Sequence, residues 1–185
     1  MYRVMLVDDE ENILKALRRA LANADAYGIG QGKIEVETFT SPGQALACAA
    51  DKAFDLVISD YRMPEMSGVE FLKAFKKLQP NAVRLVLSGY ADLDGVISAI
   101  NEAQIYRFIA KPWQDYELVA TIAQALAHHD LQVENQRLAD LVRVQQGKLS
   151  MQEMALKRLE EESPGITKVN WGTDGSVIID EEDAV

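Results

Sequence analysis

An open α/β fold, a doubly wound parallel sheet of five strands, is what the sequence predicts, on three observations. Short apolar runs alternate with longer amphipathic ones, and the unit recurs five times before residue 127. Several of the short runs, Leu56-Val57-Ile58 among them, are wholly apolar, as suits strands covered on both faces of a parallel sheet. Polar residues gather where those runs end, and an open α/β sheet collects its ligands outside the carboxyl ends of its strands.

In chain order the strands are expected at Arg3 to Val7, Ile34 to Phe39, Leu56 to Ser59, Arg84 to Leu87 and Arg107 to Ala110. Helices are expected between them at Glu11 to Ala22, Pro42 to Ala50, Val69 to Leu78 and Leu93 to Glu102, with a last one beginning near Gln114. Ser41-Pro42 offers an N-cap followed by proline at the first helical position, and Asp92 suits a cap for the helix after it. The run Tyr27-Gly28-Ile29-Gly30-Gln31-Gly32 has Gly-x-Gly-x-Gly spacing, but it follows a helix and precedes a strand, the reverse of a nucleotide fingerprint. It reads as a loop. The single cysteine, Cys48, lies in an alanine-rich run and reads as a packed thiol on a helix.

After Pro112 a helical pattern runs from Gln114 to about Glu162, and Leu118, Ile122 and Leu126 form the stripe that closes it on the sheet. Beyond that, Leu131 and Leu138 are seven apart, as are Val142, Leu149 and Leu156, with a four-residue step between the two sets that resembles a coiled-coil stutter. Gly147 marks a kink or break. Ile166 to Trp171, Gly172-Thr173-Asp174-Gly175 and Ser176 to Ile179 then read as a small β-hairpin. The expected organisation is a domain over 1–127, a helical, coiled-coil extension over 128–162, and an acidic tail with a hairpin over 163–185.

The net charge is −10, and residues 160–185 hold eight acids against one lysine. An acidic chain without a basic stripe is a poor nucleic-acid binder, because phosphate neutralisation supplies most non-specific affinity. Met1 to Glu10 has no apolar leader and no run is long enough to span a bilayer, so a cytoplasmic location with no membrane contact is expected. His128-His129-Asp130 looks like a metal motif, but neighbouring helical residues diverge by about 100°, and the remaining ligands are lacking.

Asp8 and Asp9 follow the first strand, Asp60 ends the third, Ser88 ends the fourth and Lys111 follows the fifth. Carboxylates crowded at one sheet edge call for a hard divalent cation, of which Mg²⁺ is the natural occupant. Asp60 can then act as a carboxylate nucleophile toward a phosphoryl donor, while Lys111 offsets charge on the transferring group and Ser88 offers it a hydroxyl.

Asp8-Asp9, Asp60 with Met63-Pro64-Glu65-Met66-Ser67-Gly68, Leu87-Ser88-Gly89-Tyr90, and Tyr106 to Trp113 together resemble the two-component response-regulator receiver family, over residues 1 to about 127. The resemblance implies a flavodoxin-like sheet of order 2-1-3-4-5 and a Lys111-Pro112 peptide that is often cis. It implies that Asp8, Asp9, Asp60 and the Arg62 backbone carbonyl hold Mg²⁺, that a sensor histidine kinase phosphorylates Asp60, that Ser88 and Lys111 bind the phosphoryl group, and that Tyr106 is the switch aromatic. Arg62 and Tyr90, each two residues beyond a site residue, are placed to control water access. Ser67 stands where an acidic or amide residue is common, and Ser88 where threonine is more frequent.

On this reading the chain is a phosphorylation-controlled switch without an output enzyme of its own. Its receiver face controls homodimerisation or the binding of a downstream protein through the extension. The alternative is a constitutive coiled-coil scaffold, or an adaptor or phosphate sink acting on a separate enzyme. The stretch from Ile105 to Trp113 looks nearest to receivers attached to HD-GYP phosphodiesterases and hydrogenase-type regulators, which by analogy raises an output in cyclic-dinucleotide signalling.

Overall fold

A computed structural model describes residues 1–23, 33–89 and 103–166. In chain order its elements are β1 (Tyr2–Val7), α1 (Glu11–Ala22), β2 (Ile34–Phe39), α2 (Pro42–Asp51), β3 (Leu56–Asp60), α3 (Gly68–Leu78), β4 (Val83–Ser88), β5 (Arg107–Ala110), α4 (Asp115–Gln145) and α5 (Met151–Glu162). The glycine-rich loop, the helix expected at 93–102, Tyr90 and the tail hairpin lie outside the described residues.

The strands pair in the order β2-β1-β3-β4-β5, every pair parallel, in agreement with the expected doubly wound sheet. The period-two alternation of a strand divides the core. On one face Val4, Leu6, Ile58, Leu85 and Leu87 pack against α1 and α4 through Leu14, Leu17, Leu118 and Ile122. On the other, Met5, Val7, Val57 and Val86 meet α2 and α3 through Ala45, Ala49, Phe71 and Phe75. β3 and β4 are buried at every position, which is why their sequences are nearly continuous apolar runs.

Two polar side chains are built into this core. Gln79 accepts from Phe54 N at 2.8 Å and donates to Ala49 O and Lys52 O, fastening the end of α3 to the α2–β3 turn. Arg84, 6% exposed, spends its guanidinium on the carbonyls of Ala103, Pro80, Ala82 and Gln104 and so ties the start of β4 to the turn before β5. Burial pulls its pKa below the usual arginine value.

The helical extension departs from a continuous rod. α4 ends at Gln145 in a Schellman motif, with Lys148 N donating to Arg143 O at 2.9 Å, Gly147 N to Val144 O at 3.0 Å, and Gly147 at φ +66°. Ser150 and Glu153 then form a capping box that starts α5. The chain reverses: Lys157 Nζ lies 2.7 Å from Asp140 Oδ2, whereas seventeen residues of straight helix would separate them by about 25 Å. Asn81 donates to Glu161 at 3.3 Å, so the end of α5 lies back beside the α3–β4 turn. The expected break at Gly147 is present. The heptads expected to continue through Leu149 and Leu156 do not extend the α4 seam, because the reversal leaves Leu149 in the connection and Leu156 on α5.

At the foot of the sheet α4 is tied down. Tyr2 Oη donates to Asp130 Oδ2 at 2.6 Å, and His129 Nε2 lies 3.7 Å from Asp55 Oδ1, whose other oxygen caps Arg3 N at 2.6 Å. The bond to Asp130, with burial second, pushes the Tyr2 phenol up to about 12.

Arg84→Met leaves several buried carbonyls without a donor and is expected to cost about 2–5 kcal/mol of stability, checked by urea unfolding. Because the folded pKa of Tyr2 is raised, its stabilising contribution is full below about 10, its ordinary value, and disappears as pH rises through about 12. Ultraviolet titration of wild type against Tyr2→Phe is expected to place that phenolate near 12, and Asp130→Asn to return it toward the ordinary range.

Candidate functional site

The parallel register places the ends of β1, β3 and β4 side by side, with Val7 opposite Ser59 and Asp60 opposite Leu87. Three chain segments leaving that edge bring Asp8, Asp60 and Lys111 together. Lys111 Nζ lies 2.8 Å from Asp8 Oδ2 and 2.5 Å from Asp60 Oδ1, so one ammonium is shared by two carboxylates. Each carboxylate has a second donor on its other oxygen: Glu10 N on Asp8 Oδ1 at 2.9 Å and Arg62 N on Asp60 Oδ2 at 2.7 Å.

Burial governs the electrostatics. Asp8 is fully buried and Asp60 is 7% exposed. Burial raises the Asp8 carboxyl above its ordinary range, against the opposing hydrogen bonds from Lys111 and Glu10 N. For Lys111, burial pulls the ammonium down, but its bonds to Asp60 and Asp8 prevail and the net direction is up. Two carboxylates against one ammonium leave one uncompensated negative charge in a confined place.

Backbone contacts fix Asp60 further. Tyr61 N donates to Leu87 O at 2.8 Å, and Gly68 N to Tyr61 O at 2.9 Å, closing the loop between β3 and α3. Ser67 caps α3 in a capping box with Glu70. A Cβ on Gly68 would lie 1.8 Å from the Asp60 carbonyl oxygen, so the first turn of α3 rests directly on the backbone of Asp60. Gly68 belonged to the signature read from the sequence without a role of its own, and this contact supplies one. Ser88, 1% exposed, ends β4, and its carbonyl accepts from Lys111 N at 2.8 Å; the Lys111-Pro112 peptide bond that follows is cis.

Asp9, expected with Asp8 and Asp60 in the acidic group, is exposed. Among the described residues no three His, Cys, Asp or Glu side chains stand together in a metal-holding arrangement. The residues still fit a hard divalent cation by their chemistry: the acidic donors are all oxygen, and one negative charge is left over. Tyr106 does not reach Ser88. Its backbone N donates to Arg84 O at 2.8 Å, at the start of β4, and Ser88 is four strand steps from Arg84, about 13 Å. The Tyr106 ring instead stacks on His128, with centroids 4.8 Å apart. The aromatic of β5 nearer the site edge is Phe108, opposite Val86 and two residues before Ala110, the partner of Ser88. Strand counting back from Lys111 distinguishes the two.

The response regulator receiver domain model matches residues 4–123. The chain is 38% identical over 135 residues to the hydrogenase transcriptional regulatory protein HoxA of Cupriavidus necator, covering 73% of this chain and 26% of that protein, so it spans about a quarter of that relative's length. A solved structure described as adenylate cyclase from Rhodopirellula baltica is 34% identical with a TM-score of 0.67, over 75% of this chain and 97% of that one. The signal receiver domain of an HD domain-containing protein from Pseudomonas fluorescens Pf-5 is also 34% identical, with a TM-score of 0.62, over 70% and 97%.

Gly68→Ala is expected to cost about 1–3 kcal/mol through the clash with the Asp60 carbonyl, with the loss appearing in thermal unfolding.

Proposed function

The chain belongs to the response regulator receiver family, and from that premise we propose that it is a phosphoacceptor switch in which Asp60 takes a phosphoryl group from a histidine kinase. The observation that carries the reading is the single Lys111 ammonium held between Asp8 and Asp60 at the carboxyl edge of the sheet.

In the proposed step an Asp60 carboxylate oxygen attacks phosphorus. The new P–O bond forms as the P–N bond of the donor phosphohistidine breaks, and the imidazole leaves with the electron pair and takes a proton. Lys111, released from sharing two carboxylates, follows the charge onto the phosphoryl oxygens, while Arg62 N keeps Asp60 in place. Ser88 donates its hydroxyl to the phosphoryl group, and because the Ser88 carbonyl holds Lys111 N, a shift of Ser88 is felt at the end of β5. Asp8, Asp60 and the Arg62 carbonyl would hold Mg²⁺, with Asp9 joining them only by turning its exposed side chain inward, and the ion would neutralise charge on the transferring group. Arg62, beside Asp60 in sequence, would also limit water access to the acyl phosphate.

Similar proteins bear names as different as a hydrogenase transcriptional regulator, an adenylate cyclase and an HD domain-containing protein. What they have in common with this chain is the receiver, so the output is assigned to what the receiver controls: pairing with a second copy, or a downstream protein, through α4 and α5.

Incubation with acetyl phosphate and Mg²⁺ followed by intact-mass analysis is expected to add one phosphoryl group to wild type and none to Asp60→Asn. Lys111→Met is expected to slow uptake on the order of 10²–10³-fold. Equal labelling of Asp60→Asn, or none of wild type, overturns the reading.

A further inference from the structure

The run His128-His129-Asp130, which lacks the partners of a metal motif, meets three strands in turn. The ring of Tyr106, just before β5, stacks on His128 with 4.8 Å between centroids. Asp55, just before β3, lies 3.7 Å from His129 Nε2, and Tyr2, which opens β1, donates to Asp130. Three consecutive helical residues, each turned about 100° from the last, thus hold α4 against the amino ends of β5, β3 and β1, where the helix leaves the domain.

The middle residue differs from the other two in needing a charge. The His129 side chain is 12% exposed and lies between two acids, with Nε2 3.7 Å from Asp55 Oδ1 and Nδ1 3.8 Å from Asp130 Oδ1. These are ion-pair distances, too long for hydrogen bonds, and Nδ1 is buried with no hydrogen-bond partner. A neutral imidazole has one proton for two nitrogens, so in either tautomer one lone pair is set against a carboxylate. The imidazolium presents an N–H to both. The remaining oxygens of the acids are committed, Asp55 Oδ2 to Arg3 N and Asp130 Oδ2 to the Tyr2 hydroxyl, each at 2.6 Å, so neither carboxylate can turn away without giving up a bond.

The other titratable and charged groups nearby have different engagements. The Arg3 guanidinium is drawn to Glu35 on β2 at 3.9 Å, Arg107 lies over the Tyr106 ring and donates to Gln124, and the Tyr2 phenol, pushed up to about 12, is a neutral donor. His128 stacks without needing a charge. Among the described residues His129 is the group that can bring a positive charge to both acids.

We infer that His129 is a proton-operated latch: as imidazolium it pins α4 to the amino ends of β1 and β3, and on losing its proton it loosens the helix there. Histidine is the side chain that changes charge near neutral pH, so the latch is closed on the acid side of that change and opens as pH rises through it. Leu118, Ile122 and Leu126 stay buried in the core, which confines the loosening to the helix from His128 outward. The latch goes beyond the phosphoacceptor reading and does not rest on it, since it lies at the end of the sheet opposite Lys111.

Hydrogen exchange of the full chain tests the latch, with protection expressed relative to an unstructured peptide at the same pH. The acids are 29% and 53% exposed, so between about pH 6 and about pH 8 the wild-type amides of residues 128–135 are expected to lose protection roughly two- to fivefold, the size of a partly screened ion pair, while β3 and β4 keep theirs. His129→Gln, which cannot take the charge, is expected to show the lower protection at both pH values. Asp55→Asn, which keeps an acceptor for Arg3 N, is expected to flatten the change, and His128→Gln to preserve it. Equal protection of wild type at both pH values overturns the proposal, as does an undiminished response in His129→Gln or one abolished by His128→Gln. If His129→Gln does not fold, an undiminished response in Asp55→Asn overturns it instead. Loss of phosphoryl uptake by wild type with the pH response preserved would sink the phosphoacceptor reading and leave the latch standing.

Discussion

One ammonium between two buried carboxylates organises the carboxyl edge of this protein. Asp8 comes from the end of β1, Asp60 from β3 and Lys111 from beyond β5, so the contact draws the β5 edge of the sheet to its central strands. Neither acid would be tolerable in that setting without the lysine, and the lysine would not hold its charge at that depth without them. The arrangement is balanced against itself rather than filled, with one negative charge more than positive. A group of this kind is ready to receive a further cation or to exchange its partners when a new anion arrives.

The backbone around Asp60 shows how little slack the arrangement has. Its side chain accepts from Arg62 N, its strand neighbour Tyr61 is bonded to Leu87, and α3 begins in contact with its carbonyl. The capping box of Ser67 and Glu70 fixes where α3 starts, and hence how closely Gly68 approaches. Local signals of helix initiation thus become positional constraints on a carboxylate at the end of the central strand.

Much of this was readable from residue order. The apolar runs located all five strands, because a buried parallel strand admits few polar residues, and strand ends then named Asp8, Asp60, Ser88 and Lys111. Tyr106 shows the limit of that reading. An aromatic near Lys111 in sequence is not near it in space when the intervening residues are extended, and five positions of strand carried it to the far end of β5. Arg84 was unreadable for a different reason: its partners are backbone carbonyls, two of the turn just before it and two of a turn some twenty residues away, and no side-chain pattern announces them. At Gly147 the break was visible but the direction afterwards was not, since the fold-back depends on Asp140 finding Lys157. The Ser150–Glu153 capping box was the local sign that a new helix begins there.

The bond between Tyr2 and Asp130 sits at the end of the sheet opposite the Lys111 group. It gives α4 a fulcrum: fifteen residues of helix beyond Asp130 form an arm of about 22 Å, so a rotation of about 10° there moves Gln145 by about 4 Å. The inner arm, from Asp115 to Asp130, is of nearly equal length and begins a few residues after Lys111. That inner arm is packed into the core through Leu118, Ile122 and Leu126, so a tilt about this bond is taken up by the outer arm.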